Sequence, residues 1–327
     1  MKAWVVEAIT ERGEMRLVDL PPPEPGAGQY VVGVEAAGLN FLDALMLRGM
    51  YQVKPKLPFT PGVEIVGRVL RAGDGAMLAV GTRVVSSTQG GYAEQALASA
   101  DAVAAIPDDV PAADAVALFG IVYPTSYYGL HDRGGLRAGE TVLVHAAAGG
   151  VGSAAVQIAV AAGARVIATA GGAEKVAACR ALGAELAIDY GAEDWLEVVR
   201  GYTKGRGVDI VYDPVGGEVG EKSLRCLAWH GRYLVVGFAA GPIPALAANR
   251  LLLKEASAIG VYWGGASGAD PALGPRIREA VLGLYRAGTV KPLVRGKFPL
   301  AQADAALASL AGRDSVGKVV LEVSGGR

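Results

Sequence analysis

A glycine-rich stretch between an apolar run and a helix-like run has the composition of a phosphate-binding turn. Residues 146–152 spell A-A-A-G-G-V-G, and the helix-like run 153–162 follows them. In a strand–turn–helix unit, glycines let the backbone approach a pyrophosphate, and the helix N-terminus offers free N–H groups and a partial positive charge. Gly149 and Gly150 are expected at the close approach, and Gly152 where helix and strand pack together. The stretch predicts a dinucleotide site, although an alanine replaces the first glycine of the usual pattern.

The end of the next predicted strand indicates which dinucleotide is bound. An NAD site places an Asp or Glu there, about 20 residues past the glycine turn, to bind the ribose 2′-hydroxyl. Here residues 169–172 read T-A-G-G, which has no carboxylate and leaves room for a 2′-phosphate. Lys175, in the first turn of the next helix, and Tyr190, at the end of the third strand, are placed to bind that phosphate. We therefore predict NADPH as the cofactor. Glu174 is the residue that would favour NADH instead.

Polar side chains elsewhere could serve the group that accepts a hydride. Asn40 follows a predicted strand, where its amide could donate to cofactor or substrate or could stabilise a turn. The phenol of Tyr51 could polarise a carbonyl or supply a proton, or it could simply pack in its loop. Tyr128 is a weaker candidate for the same role. Asp43 is expected to cap the helix that follows it, and His145, at the end of a core strand, is expected to be structural.

The glycine turn opens a series of alternating strands and helices. Near-continuous apolar strands that alternate with amphipathic helices indicate a parallel sheet covered on both faces, whose ligands lie at the carboxyl ends of the strands. The predicted strands are 164–170, 186–190, 208–213, 232–238 and 257–262, and the predicted helices are 173–182, 193–201 and 218–229.

The first ~120 residues have a different pattern, with short strands and turns that predict an antiparallel, partly barrel-like lobe. After residue 263 the alternation stops, and two helices lead to a final strand at 317–323. We expect this tail to rejoin the first lobe. The predicted domains are 1–120 completed by 264–327, and an inserted nucleotide domain at 121–263.

Composition agrees with a two-domain α/β protein. The chain has 327 residues, 52% of them hydrophobic and 19% charged, so it can bury a large core. The formal net charge of -1 gives no reason to expect nucleic acid as a partner. Residues 142–164 carry no formal charge over 23 positions, but their periodicity changes at the turn, which favours strand–turn–helix over a membrane span. Cys179 and Cys226 fall in predicted helices, which suggests a reducing, cytoplasmic location.

Five motifs along the chain give it a family resemblance. They are G-L-N-F-L-D at 38–43, R-G-M-Y at 48–51, P-G-V-E at 61–64, H-A-A-A-G-G-V-G at 145–152 and G-K-V-V-L at 317–321. In this order and spacing they resemble the medium-chain dehydrogenase/reductase superfamily and, within it, the zinc-free NADPH:quinone oxidoreductases. The resemblance implies a GroES-like, mostly-β catalytic domain and a Rossmann domain, with the active site in the cleft between them.

The resemblance also implies roles for particular residues. It places Thr125 against the nicotinamide. The catalytic candidates are therefore Tyr51, Asn40 and Thr125. It implies a homodimer formed through the strand at 256–262. The expected cofactor contacts are Ala148, Gly149, Gly150, Val151, Gly152, Gly171, Lys175, Tyr190, Gly237, Phe238 and Lys318.

A catalytic zinc ion is not expected. In the zinc-dependent relatives a Cys occupies the position of Asn40 and a His that of Val63, and no Cys precedes position 179 here. Glu64 and Asp43 remain, but two carboxylates without other ligands are a poor zinc site. We therefore expect hydride transfer to a quinone or similar conjugated carbonyl, polarised by hydrogen bonds.

Two alternatives remain open. The first is a 2-enoyl thioester or enone reductase, because the basic stretch 276–297, with Lys54 and Lys56, could hold the phosphates of coenzyme A; a solvated basic face explains the same charges. The second is a non-catalytic NADPH-binding protein, as with the crystallins of this family.

Overall fold

The computed structural model describes residues 1–51, 54–312 and 315–323. Its strands are β1 (Lys2–Val5), β2 (Arg16–Asp19), β3 (Gln29–Leu39), β4 (Ile65–Ala72), β5 (Arg83–Ser86), β6 (Gln95–Ser99), β7 (Val103–Ala105), β8 (Thr141–Val144), β9 (Arg165–Ala170), β10 (Leu186–Asp189), β11 (Val208–Asp213), β12 (Leu227–Val235), β13 (Ser257–Gly260), β14 (Val294–Pro299) and β15 (Lys318–Glu322). Its α-helices are α1 (Phe41–Leu47), α2 (Ala112–Phe119), α3 (Val122–Tyr127), α4 (Gly150–Ala161), α5 (Ala173–Ala181), α6 (Trp195–Tyr202), α7 (Gly217–Ser223), α8 (Ala248–Leu252), α9 (Trp263–Ala269), α10 (Leu273–Arg286) and α11 (Ala303–Ala311).

The residues form two compact units. The first comprises Met1–Ile121 with Val294–Arg327, and the second comprises Val122–Leu293. The second unit therefore continues past residue 263, where the sequence placed its end. It does so because α10 packs against α3, so this helix belongs with the sheet that precedes it in the chain.

The first unit is built on a largely antiparallel sheet in the order β14-β15-β3-β4-β5-β7, with β6 also paired to β3. The central strand β3 is buried along most of its length because it has β15 and β4 as neighbours. The two ends of the chain share one core, and Trp4 Nε1 donates a hydrogen bond of 2.7 Å to the Leu300 carbonyl. The end of β3, the start of β4 and the start of β15 meet at one edge of this sheet.

The second unit contains a six-stranded parallel sheet in the order β10-β9-β8-β11-β12-β13. This is the doubly wound order of dinucleotide-binding sheets, in which the chain reverses direction across the sheet between β8 and β11. The α/β fold class predicted from the sequence is confirmed. The carboxyl ends of the parallel strands share one edge of the sheet, and the predicted cofactor residues of this unit lie in the loops and helix starts that follow them.

The structure corrects one helix. Residues 218–229 were predicted to be helical, but α7 ends at Ser223 and β12 begins at Leu227. The apolar run from Cys226 onward pairs with β11 instead of extending the helix, so Cys226 precedes a strand. His230 lies within β12 with a positive φ of 59°. His131 lies in a π-helical turn, Tyr128–Arg133.

The uncharged stretch at 142–164 forms β8, the glycine turn and α4, as predicted. Among the helices of the described residues, none is both long and apolar enough to cross a membrane.

Candidate active site

The glycine turn connects β8 to α4 and presents backbone N–H groups. Ala146 adopts a positive φ of 47°, and α4 begins at Gly150. A Cβ at Gly152 would lie 2.2 Å from the Ala146 carbonyl oxygen, so only glycine allows the helix to sit this close to the turn. The first helical hydrogen bond runs from Ser153 N–H to Gly149 O, which leaves the N–H groups of the first three helical residues, 150–152, directed out of the helix end. This geometry suits a pyrophosphate.

The loops after β9 and β10 lie side by side, because these strands are paired with Asp189 opposite Ala170. A Cβ at Gly171 would lie 2.7 Å from the Tyr190 hydroxyl oxygen, so this phenol lies directly over the glycine. Lys175 is in the first turn of α5, as predicted. The geometry therefore brings Gly171, Tyr190 and the start of α5 together.

Sequence reasoning missed a carboxylate at this place. Asp189 Oδ1 accepts hydrogen bonds from the N–H groups of Gly172 at 3.0 Å and Gly191 at 2.9 Å. These bonds lower the pKa of its carboxyl. The available signal was an Asp at the end of a strand, followed by a glycine and close to the Gly171–Gly172 pair. Its position within the predicted strand gave no indication of these backbone partners.

A third pair of loops follows β11 and β12. Asp213 is fully buried, and its Oδ1 accepts from Val215 N–H at 2.7 Å while Oδ2 accepts from the Tyr233 hydroxyl at 2.5 Å. The loop after β12 is hydrogen-bonded to the loop after β11, since Ala239 N–H donates to Pro214 O and Ala240 N–H donates to Val215 O. Gly237 and Phe238, two predicted cofactor contacts, lie in this second loop.

His145 is structural within the second unit, as its sequence position suggested. Its ring is buried, with Nδ1 2.9 Å from Thr169 Oγ1 and Nε2 2.9 Å from Ser223 Oγ. Trp195 contacts the ring edge-on, at 4.8 Å between centroids. Burial lowers the His145 pKa, so the imidazole is neutral at pH 7.

Thr125 lies on α3, in the same unit as the glycine turn. The neighbouring Ser126 links the two, because its Oγ donates to Val151 O at 2.9 Å and lies 3.0 Å from the Tyr212 hydroxyl. Thr125 is buried, and Tyr128 begins the π-helical turn with its ring 6.0 Å from that of Trp263. Helix α3 is therefore anchored to the start of α4.

A buried polar cluster occupies the edge of the first unit where β3, β4 and β15 meet. Lys318 Nζ lies 2.5 Å from Glu64 Oε2 and 2.6 Å from Asn40 Oδ1, and Asn40 Nδ2 donates to the same Glu64 oxygen at 2.9 Å. All three residues are buried. The Asn40 amide therefore faces a carboxylate and an ammonium, which differs from the predicted donation to cofactor or substrate.

Two glycines make room for this cluster. A Cβ at Gly38 would lie 2.2 Å from Glu64 Oε2, and one at Gly120 would lie 2.0 Å from Glu64 Oε1. The second Glu64 oxygen accepts a hydrogen bond from Ile121 N–H. Both carboxylate oxygens are thus bonded, and Lys318, predicted to contact the cofactor, compensates the charge of Glu64.

Asn40 is the N-cap of α1, and Asp43 lies in the first turn of this helix, which differs from the prediction that Asp43 caps a helix that follows it. Asp43 Oδ2 accepts from the backbone N–H of Asn40 at 2.8 Å, forming a capping box. Complete burial raises the pKa of Asp43 to about 7, although Lys318 lowers it and Glu64 raises it further. Within the described part of the chain, Asp43 Oδ1 and the Tyr92 hydroxyl make no regular hydrogen bond, although the two groups interact electrostatically.

Asp43→Asn is expected to make stability less dependent on pH. The folded protein holds the Asp43 proton more tightly than the unfolded chain, so the contribution of this carboxyl to stability is fully present below about pH 4 and is lost as pH rises through 7. The amide cannot ionise but keeps an acceptor for Asn40 N–H. One pKa unit corresponds to about 1.4 kcal/mol. The free energy of unfolding of the variant, relative to that of wild type, should therefore increase by a few kcal/mol when the pH is raised from about 4 to about 8.

Urea denaturation at both pH values measures this difference. Asp101→Asn, at an exposed position, is the matched control and should follow wild type. Parallel pH profiles for Asp43→Asn and wild type would contradict the burial argument.

Tyr51, the candidate proton donor, lies after α1 in the first unit and is half-buried. Residues 52 and 53 lie outside the described residues. Among the residues that are described, no group of three or more His, Cys, Asp or Glu side chains could hold a metal ion.

The basic stretch at 276–297 is divided between the two units, because its residues from Val294 onward belong to the first unit and the others to the second. Arg276 pairs with Asp132, and Lys297 pairs with Glu322 at 3.2 Å. These pairs reduce the charge that would attract an anion.

Comparison with known proteins agrees with this architecture. Residues 26–108 match the family described as an alcohol dehydrogenase GroES-like domain, and residues 150–276 match the family described as a zinc-binding dehydrogenase. The chain is 40% identical over 304 residues to the quinone oxidoreductase-like protein 2 homolog of Nematostella vectensis, which spans 90% of this chain and 82% of that protein.

Solved structures also resemble the chain. The quinone oxidoreductase of Thermus thermophilus, solved alone and with NADPH, has a TM-score of 0.81 at 39% identity and covers 98% of this chain and 100% of that one. The CurK enoyl reductase has a TM-score of 0.86 at 28% identity, covering 98% and 99%. With this identity over nearly its whole length, the chain belongs to the quinone oxidoreductase family of the medium-chain dehydrogenase/reductase superfamily.

Proposed function

We propose that this protein is an NADPH-dependent reductase that transfers a hydride to a quinone or a similar conjugated carbonyl without a catalytic metal. The observation that carries the proposal is the shared edge of the second unit's sheet. There the glycine turn presents N–H groups for a pyrophosphate, and Tyr190 covers Gly171 beside the first turn of α5. The NADPH complex of the Thermus thermophilus relative supports the same cofactor.

The chain's own residues bind and orient the cofactor in this proposal. The backbone from Ala148 to Gly152 binds the pyrophosphate, and Tyr190 with Lys175 binds the 2′-phosphate. The loop of Gly237 and Phe238 and the α3 residue Thr125 orient the nicotinamide. The reduced nicotinamide, when bound, supplies the hydride, and the protein supplies alignment.

The cluster around Lys318 supports a reaction without zinc. In this structure the Glu64 carboxylate already has a cation, the Lys318 ammonium, and its second oxygen is bonded to backbone. A zinc ion there would have to displace an ammonium and would find an amide, Asn40, in place of a thiolate. Polarisation of the substrate carbonyl then depends on hydrogen bonds.

Tyr51→Phe is expected to lower kcat by about 10- to 100-fold while changing NADPH affinity little. The hydroxyl would act mainly on the reacting carbonyl, so its loss affects the transition state more than cofactor binding. Steady-state kinetics on the best substrate measure both constants. Tyr128→Phe removes the alternative phenol and should have a much smaller effect. If the Tyr51 variant turned over normally, the residue would have a packing role only.

The substrate class is tested by NADPH oxidation with quinones, enones and enoyl thioesters under identical conditions. The proposal expects the largest kcat/KM for a quinone or enone, retained after chelation, with zinc far below one equivalent by elemental analysis. A second candidate is enoyl thioester reduction, favoured by the likeness to CurK, and it would be selected by a preference for enoyl thioesters. NADPH binding without turnover of any substrate would indicate the non-catalytic alternative.

The protein is also proposed to be a homodimer. Strand β13 lies at the edge of the parallel sheet, and an exposed edge strand can pair with a second copy. Large apolar side chains near it are exposed, with Leu252 at 77%, Leu253 at 72% and Tyr262 at 71%. Pairing of two copies across a two-fold axis would shield the edge of β13 and these apolar side chains from water.

Light scattering at micromolar concentration is expected to give about twice the 33.4 kDa chain mass. Ile259→Lys within β13 should shift the population towards monomer, because it places a charge in the pairing edge. A monomeric wild-type protein would refute the dimer. The proposed cytoplasmic location is consistent with two buried cysteines that are free thiols.

A further inference from the structure

The carboxylate of Asp189 ties together two turns that the proposed cofactor must contact. Its Oδ1 accepts the Gly172 N–H at 3.0 Å from the turn after β9, and the Gly191 N–H at 2.9 Å from the turn after β10. Tyr190 N–H donates to Ala170 O at 3.1 Å between the same two segments. One side-chain oxygen therefore holds the relative position of both turns.

The turn held in this way leads directly into α5. Gly172 has a φ of 85°, a conformation that glycine adopts without strain, and it is the N-cap of the nine-residue helix α5. By binding Gly172 N–H, Asp189 satisfies a backbone donor at the N-cap of this helix from a neighbouring strand. Without the carboxylate, the Gly171–Gly172 turn has more freedom than any non-glycine turn.

We propose that Asp189 is a positioning residue for the cofactor's adenosine 2′-phosphate: it fixes the Gly171–Gly172 turn so that Tyr190 and the start of α5 form one pocket. This inference rests on the proposed NADPH-dependent function. Asp189 acts through the turn and does not bind the phosphate itself.

The negative charge of Asp189 should weaken phosphate binding, whereas its hydrogen bonds to the two turns should strengthen it. A carboxylate near the pocket repels a phosphate, whereas its oxygen is needed to hold the two N–H groups. Its partial exposure limits the repulsion, because water screens it. Asparagine has an oxygen acceptor of the same shape and no charge, so Asp189→Asn separates the two effects.

The experiment measures NADPH and NADH dissociation constants without substrate, by nucleotide fluorescence, for wild type, Asp189→Ala and Asp189→Asn. Asp194→Ala is the matched control. Asp194 is exposed, and its Oδ1 also accepts two backbone N–H groups, those of Leu196 and Glu197, at the start of α6. Thermal unfolding of each variant reports whether the fold is retained.

We expect Asp189→Ala to raise the NADPH dissociation constant about 5- to 30-fold, since two hydrogen bonds to a charged acceptor are lost from the turn. Asp189→Asn should restore affinity to within about twofold of wild type and increase the preference for NADPH over NADH. Asp194→Ala should bind NADPH like wild type.

Three results overturn the inference while wild type binds NADPH: an unchanged constant for Asp189→Ala, an equal loss in Asp194→Ala, or no restoration in Asp189→Asn. Absence of NADPH binding by wild type instead overturns the proposed function, and the inference with it.

Discussion

Lys318→Met is expected to lower the free energy of unfolding by about 3–5 kcal/mol, because it leaves the Glu64 carboxylate buried without its cation. Glu64 is 0% exposed and Lys318 is 3% exposed, so water cannot replace the lost ammonium. The Asn40 amide also loses its partner for Oδ1. Urea denaturation, with a check that the m-value is unchanged, measures the loss.

Two controls show whether the effect comes from the unpaired charge. Glu64→Gln combined with Lys318→Met removes both charges and should recover a large part of the stability. Lys222→Met breaks an exposed pair with Glu218 and should change stability by less than about 1 kcal/mol. If the double variant were no more stable than the single one, lost packing and not charge would explain the result.

Lys175→Ala is expected to raise the KM for NADPH about 5- to 100-fold and to leave that for NADH nearly unchanged. Charge pairing with a partly exposed phosphate contributes about 1–3 kcal/mol, and NADH lacks that phosphate. Steady-state kinetics with both cofactors, on the substrate chosen by the panel, measure the two constants.

Glu174→Ala is the matched control for Lys175→Ala, because the two residues are adjacent in the first turn of α5. It should leave NADPH use unchanged or improve it, since it removes a negative charge near the phosphate. A native preference for NADH would mean that Glu174, bound to a ribose, decides the cofactor.

Local pattern predicted the nucleotide-binding unit well. The glycine turn, α4 and the parallel strands followed from residue types that act within a few positions, such as Gly152 beneath Ala146. The segment 218–229 could form a helix or a strand from its local pattern. Pairing with β11 made its second half a strand, so the predicted helix is replaced by α7 and the start of β12.

The cluster in the first unit could not be predicted in the same way. Lys318 and Glu64 are 254 positions apart, and only the pairing of β15 with β3 and of β3 with β4 brings them together. From the sequence, Glu64 was a carboxylate without an identified partner, and Lys318 was a predicted cofactor contact. Asp189 was missed for a related reason, because its partners are backbone N–H groups, which no side-chain pattern reveals.

The strand order of the first unit has a consequence for how the protein is made. Strand β15 lies between β14 and β3, yet the ribosome synthesises it after the whole of Val122–Leu293. A nascent chain that has not reached Lys318 therefore exposes the edge of β3 and holds Glu64 without its ammonium, while the residues of the parallel sheet are already complete. The nucleotide-binding unit can fold during translation, whereas the first unit cannot complete its sheet until β15 has been synthesised.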